Sequence, residues 1–153
     1  MLYPCEIKVY PPQPALTIRT RTPVEKLPEV IGKSFSAITQ YIESIGEPFA
    51  GEPYVAYFNM DMQDLDVELG FPVSKPLPGK DEIQPGRMPE GKVATSFYTG
   101  AYDKMAPAYD ELAEFIIDHG YESTGVAYEF YFDPPETPPE KTRTLILFPL
   151  KIQ

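Results

Sequence analysis

Two stretches of this chain, 74 residues apart, carry the same pattern, and that repetition limits the possible folds more than any other feature. Ile31, Phe35, Ile38, Ile42 and Ile45 step by four, three, four and three residues and are followed by Gly46. Met105, Tyr109, Leu112, Ile116 and His119 take the same steps and are followed by Gly120. Such spacing places five side chains on one face of a helix, and a glycine just beyond the last of them is a helix stop. Gly51, Tyr54, Tyr57 and Phe58 recur, at the same offset, as Gly125, Tyr128, Tyr131 and Phe132. The offset then grows to 77, aligning Leu69-Gly70-Phe71-Pro72-Val73 with Ile146-Leu147-Phe148-Pro149-Leu150, because the second turn, Asp133 to Pro139, is longer. A match in register over this length marks an internal repeat.

The remaining pattern fills in each half. Glu6 to Val9 and Ala15 to Thr22 alternate as strands do, with Pro11, Pro12 and Pro14 between them. Thr22 and Glu25 have the spacing of a capping box ahead of the first helix. Tyr54 to Asn59 with Asp66 to Val73 reads as a hairpin; Val93 to Tyr98 reads as a strand, and Val126 to Phe132 with Thr142 to Leu150 as a second hairpin. Each half is therefore β-α-β-β, and the expected fold is a single α+β domain over residues 1–153. It comprises a first repeat at about 15–74, a crossover loop at about 75–91 rich in proline and glycine, and a second repeat at about 92–152. One helix covers one face of a three-stranded antiparallel sheet, so two such units are expected to associate about a pseudo-twofold axis with a ligand pocket at the centre.

Charge and rare residues exclude several functions. With 13 basic against 23 acidic side chains the net charge is −10, which repels phosphate backbones and anionic membranes, so neither direct nucleic-acid binding nor membrane binding is expected. Cys5 is the only cysteine and His119 the only histidine, which leaves no intrachain disulfide and no Cys/His zinc cluster. Neither a metal nor a cofactor is expected. The acidic run Asp61, Asp64, Asp66, Glu68 alternates like a strand and lacks the glycine-centred loop of a calcium site. The beginning MLYPCEIKVY lacks a basic stretch leading into an apolar core, so the expected location is the cytoplasm.

The order and spacing of several stretches resemble those of the GyrI-like small-molecule-binding domains. They are Asp66 to Val73, Gly91-Lys92-Val93-Ala94, Tyr98-Thr99-Gly100-Ala101-Tyr102, Tyr128-Glu129-Phe130-Tyr131 and Thr144 to Leu150. Members of that family look like tandem β-α-β-β folds whose central pocket holds lipophilic, often cationic or aromatic compounds, and some form the effector-binding halves of AraC-type and MerR-type multidrug regulators. The resemblance implies a stand-alone binder in xenobiotic or toxin defence. It also implies two alternatives: a hydrolase of cyclopropane-bearing or similar electrophilic genotoxins, and an acidic protein that inhibits or protects gyrase. The chain departs from the pattern in having no tryptophan and in carrying Tyr128 where relatives often place a basic residue.

Glu129 is the residue singled out. A carboxylate inside the aromatic strand Tyr128 to Phe132 is costly unless a partner or ligand satisfies it, and the resemblance places the family's pocket glutamate at this position. An apolar pocket raises its pKa, and a bound cation lowers it again. Alternation puts Tyr131 and Ala127 on the face of Glu129, and the repeat puts Val55 and Tyr57 on the matching face of the first half. Tyr57 and Tyr131 offer stacking surface and hydroxyl donors for binding, or for catalysis beside Glu129 as general base. Glu68, Phe71, Tyr98, Tyr102 and Phe148 complete the expected lining, with Glu68 a second candidate acid and the tyrosines around Gly100 at the rim. His119 is read as a cap on the second helix's last carbonyls, with haem ligation the weaker reading, and Cys5 as incidental.

Overall fold

The computed structural model describes residues 3–134 and 136–152, so Pro135 in the turn expected over Asp133 to Pro139 lies outside the described residues. The chain divides into two compact units, Pro12–Pro89 and Met1–Pro11 with Glu90–Gln153. Each holds one repeat.

In the first-repeat unit, β2 (Pro14–Thr22) leads through a single 3-10 turn into α1 (Leu27–Ser44), followed by the hairpin of β3 (Tyr54–Tyr57) and β4 (Leu65–Pro72). Strand β4 lies between β3 and β2, antiparallel to both. α1 presents Ile38 and Ile42 to Leu16, Ile18, Phe71 and Val73, with Phe35 packed alongside. The apolar stripe ends one turn earlier than its spacing predicts: Ile45 is 38% exposed, because the chain turns out of the helix there. Gly46, at φ 70°, makes that turn. Its amide donates to Glu43 and that of Glu47 to Ile42, the pair of bonds that closes a helix through a left-handed residue.

The expected capping box does not form. The Thr22 hydroxyl donates to the carbonyl of Pro23, and the helix is entered through the turn Val24–Lys26 with Pro28 in its first positions, where a missing amide costs nothing. The expected crossover loop also needs correction. Gln84–Arg87 forms β5, an antiparallel edge strand on β2, and Leu77, Ile83 and Met88 around it are buried. An edge position tolerates Pro85, which has no amide to donate, and the three apolar side chains anchor a segment whose composition reads as loop.

The second-repeat unit follows the same plan with β6 (Gly91–Thr99), α2 (Ala106–Asp118), β7 (Ala127–Tyr131) and β8 (Arg143–Pro149). Its sheet runs β1-β6-β8-β7, antiparallel throughout, with β1 (Cys5–Tyr10) supplied from the start of the chain. Ala108, Leu112 and Ile116 of α2 pack with Ala94, Tyr98, Ile146 and Leu150. Gly120, at φ 77°, closes this helix by the same two bonds, to Ile117 and, through Tyr121, to Ile116. His119 makes its expected contact, Nδ1 lying 2.9 Å from the Phe115 carbonyl, but the ring is exposed and not part of a buried face. No helix among the described residues is long and apolar enough to cross a membrane.

Candidate functional site

Strand pairing decides which side chains meet. Glu129 is registered opposite Ile146 and Tyr131 opposite Thr144, and Ile146 belongs to the cluster under α2, so Ala127, Glu129 and Tyr131 face the helix. Tyr109 comes down from the same side of α2 as Leu112 and Ile116. Its hydroxyl donates to Oε2 of Glu129, while Tyr131 donates to Oε1 at 2.8 Å. Both carboxylate oxygens therefore have a phenol donor. Burial pushes the Glu129 pKa above the ordinary carboxylate range, and the hydrogen bonds from Tyr109 and then Tyr131 offset only part of that rise.

Two further rings extend this cluster. Phe148 lies 5.7 Å from Tyr109 between centroids, and Tyr102 meets Tyr131 edge-on at 5.7 Å and 84°. Tyr102 is 54% exposed and forms the outer edge of the cluster. Partial burial raises its pKa, and the negative charges of Glu129 and Asp133 add to the rise. Asp133 is held by Arg143, through the backbone amide at 2.7 Å and the guanidinium at 2.9 Å, which keeps its carboxyl below the usual range. The result is a mostly buried carboxyl group with a graded aromatic wall leading outward, a chemistry suited to apolar ligands carrying one charge or one polar atom.

The corresponding place in the first-repeat unit is built without charge. Val55 is fully buried where Glu129 stands, Phe35 occupies the position of Tyr109, and Phe35 meets Phe71 edge-on at 5.3 Å. Tyr57 is partly buried, paired with Val67. Glu68 does not join these residues: it is registered between Arg19 and Ala56, on the sheet face turned away from Val55, Leu69 and Phe71. Its pKa is also raised by burial, against the pull of Arg19, whose guanidinium forks onto Asp66 at 2.7 and 2.8 Å. Two adjoining open grooves of about 540 and 580 Å³ follow α1 of this unit, sharing Ile18, Ala37 and Glu82 and rimmed by Lys33, Lys80 and Asp81; neither includes Glu129.

Tyr98, expected at the rim, is a core residue. It is 3% exposed and donates its hydroxyl to Ala101 at 2.7 Å, with its ring beside Gly100 and Tyr3. The structure thus brings Glu129, Tyr131, Tyr102 and Phe148 into one cluster and leaves Tyr98, of the same unit, outside it. Tyr109 is the contributor that sequence reasoning placed on the helix face without assigning it to the site. Its signal was in the repeat, since the only phenol in that stripe and the only acid in the aromatic strand occur in the same half.

Comparison with known proteins gives the same fold. The model of the GyrI-like small molecule binding domain matches residues 3–151. The structure is similar to the C-terminal domain of EcmrR, with a TM-score of 0.81 and 23% identity over 99% of both chains. It is also similar to EcmrR in a DNA complex, with a TM-score of 0.84 and 22% identity over 99% of this chain; there it spans only 58% of the EcmrR chain. A hydrolase from Listeria innocua has a TM-score of 0.71 and 15% identity, covering 96% of this chain and 91% of its own. SAV2435 bound to tetraphenylphosphonium has a TM-score of 0.58 and 12% identity, covering 99% and 94%. No curated protein matches the sequence.

Proposed function

The chain belongs to the GyrI-like small-molecule-binding domain family, and from that membership we propose that it binds lipophilic, aromatic or cationic compounds at Glu129, in defence against xenobiotics or toxins. The observation that carries this reading is the mostly buried carboxyl group of Glu129, held by Tyr109 and Tyr131 behind the rings of Tyr102 and Phe148. Tyrosine faces attract cations, and a carboxylate at low dielectric strengthens that attraction. The likeness to SAV2435 in its tetraphenylphosphonium complex supports the choice of a lipophilic cation as probe. Titration of a fluorescent lipophilic cation into the wild-type protein gives micromolar binding on this account. Glu129→Gln, folded by circular dichroism, loses about tenfold or more, roughly 1.4 kcal/mol. Equal affinity in the two proteins contradicts it.

The same arrangement favours a second reading, hydrolysis of a strained electrophile such as a cyclopropane conjugated to a carbonyl. Glu129 takes a proton from water as the water oxygen attacks the ring carbon. The broken carbon–carbon bond's electron pair moves to the carbonyl oxygen, where the Tyr131 or Tyr109 hydroxyl donates a hydrogen bond. A product whose rate of formation falls with Glu129→Gln separates this reading from simple binding.

A further inference from the structure

The repeat supplies an internal control for polar side chains in the second-repeat unit. At the offset of 77 that aligns the ends of the two hairpins, Thr144 of β8 stands where Val67 stands in β4. Their neighbours correspond as well: Val67 is registered between Thr20 and Tyr57, and Thr144 between Tyr98 and Tyr131. Both side chains are fully buried. Threonine and valine have nearly the same shape, so the packing here asks for nothing that valine does not give. What Thr144 adds is a hydroxyl, able to donate one hydrogen bond and to accept others.

The fold does not use that hydroxyl. Oγ1 is shut off from solvent and, among the described residues, closes no hydrogen bond. The Tyr102 phenol comes near enough for the two hydroxyls to act on each other, yet the geometry of a bond between them is not met. A buried hydroxyl in this state destabilises a protein relative to an apolar group of the same shape, and the first-repeat unit avoids that penalty with Val67. Residues directly opposite in an antiparallel pair share a sheet face, so Thr144 points to the same side as Tyr131 and Glu129. Glu129 is registered with Ile146, two residues along β8, which places Thr144 on its diagonal, roughly 7 Å away between Cβ atoms.

We propose that Thr144 is a specificity-determining residue of the Glu129 site, and that the ligands it selects are lipophilic cations carrying an uncharged hydroxyl placed to bond Thr144 Oγ1 while the charge faces Glu129. The inference rests on the small-molecule reading of Glu129 above and adds a second polar anchor to it. A ligand hydroxyl can meet that of Thr144 as donor or as acceptor, whereas a purely apolar cation leaves Oγ1 without a bond. Tyr102, at the outer edge of the cluster and in contact with Tyr131, is the ring that turns aside to admit such a group.

The test uses the full chain at one fixed pH and a matched pair of tetraphenylphosphonium derivatives, in which one ring carries either hydroxymethyl or ethyl, at the meta or the para position. Affinities are measured calorimetrically. On Thr144→Val, which writes the Val67 side chain into the second-repeat unit, the ratio of hydroxymethyl to ethyl affinity falls about fivefold or more at one of the two positions, as expected for one hydrogen bond. Affinity for the ethyl compounds stays within about twofold. Tm of this variant is no lower than that of wild type, because the hydroxyl removed had no bond in the fold. Thr144→Ser, which keeps the hydroxyl, keeps the wild-type ratio. An unchanged ratio at both positions, an equal loss for both compounds, or a lower Tm for Thr144→Val overturns the inference, and binding of the ethyl compounds then leaves the Glu129 reading standing. If wild type binds none of the phosphonium compounds, the binding reading falls and takes this inference with it.

Discussion

The two units share a plan down to the bonds that close their helices at Gly46 and Gly120, yet one is dry where the other is charged. Phe35, Val55 and Phe71 in the first-repeat unit stand where Tyr109, Glu129 and Phe148 stand in the second. The polar members occur together. A lone carboxylate placed against α2 would leave its lone pairs unmet, at about 1–3 kcal/mol or more, while hydrogen bonds to a charged group return roughly 1.5–3 kcal/mol each. Exchanging valine for glutamate is therefore tolerable only where a phenol replaces the phenylalanine above it. The helix-closing bonds are common to the two copies, and the proposed site is a part that differs between them.

The comparison breaks first if the scaffolds are unequal. Ile38→Ala and Leu112→Ala each remove a fully buried side chain from the same place in its unit, and each should cost about 2–5 kcal/mol in denaturant unfolding. A marked disparity would show that the repeat does not carry equivalent cores. Next comes a place where the copies pack differently. Tyr54 lies across Gly70, so close that an added Cβ would sit 2.5 Å from Cζ, whereas Tyr128 pairs with Leu147. Gly70→Ala should destabilise by about 1–3 kcal/mol through overpacking, and a neutral result would mean that Tyr54 has another place to go.

The charged unit is also expected to leave a pH signature. Because the folded Glu129 pKa is raised, its contribution to stability is complete below the ordinary carboxylate value and is lost as pH rises through the folded pKa. Glu129→Gln should therefore raise Tm relative to wild type at pH 8, with the gain shrinking toward zero near about pH 4. Thermal scans that show a pH-independent difference would contradict the raised pKa. The smallest effect is expected at Glu68, which is also partly buried with a raised pKa but lies on the face turned away from Val55. Glu68→Gln should leave affinity for a lipophilic cationic dye within about twofold, less than 0.5 kcal/mol; a larger loss would move the site.

Helices, hairpins and the repeat were legible because they are written in local periodicity, and alternation alone put Glu129 beside Tyr131. What was missed depends on contacts between distant segments. β5 pairs through a segment whose Pro85 and Gly86 read as loop, and its place is fixed by Leu77 and Ile83 finding the core under α1. β1 was legible as a strand but not as the outer neighbour of β6, some 90 residues on. Tyr98 looked like rim because it flanks a glycine turn, but that turn folds the ring inward and gives its hydroxyl the Ala101 carbonyl. The Tyr109 to Glu129 bond joins a helix to a strand, and only comparison of the two halves, phenol with acid against phenylalanine with valine, hinted at it.

The most direct test rewrites the second unit in the image of the first. Tyr109→Phe combined with Glu129→Val reproduces the Phe35 and Val55 pair, which α1 and its sheet already accommodate. Titrated with a lipophilic cationic dye and checked by circular dichroism, this protein should remain folded and lose about tenfold or more in affinity, roughly 1.4 kcal/mol. A folded variant that binds the dye as tightly as wild type would contradict the claim that recognition resides in the carboxylate and phenol pair.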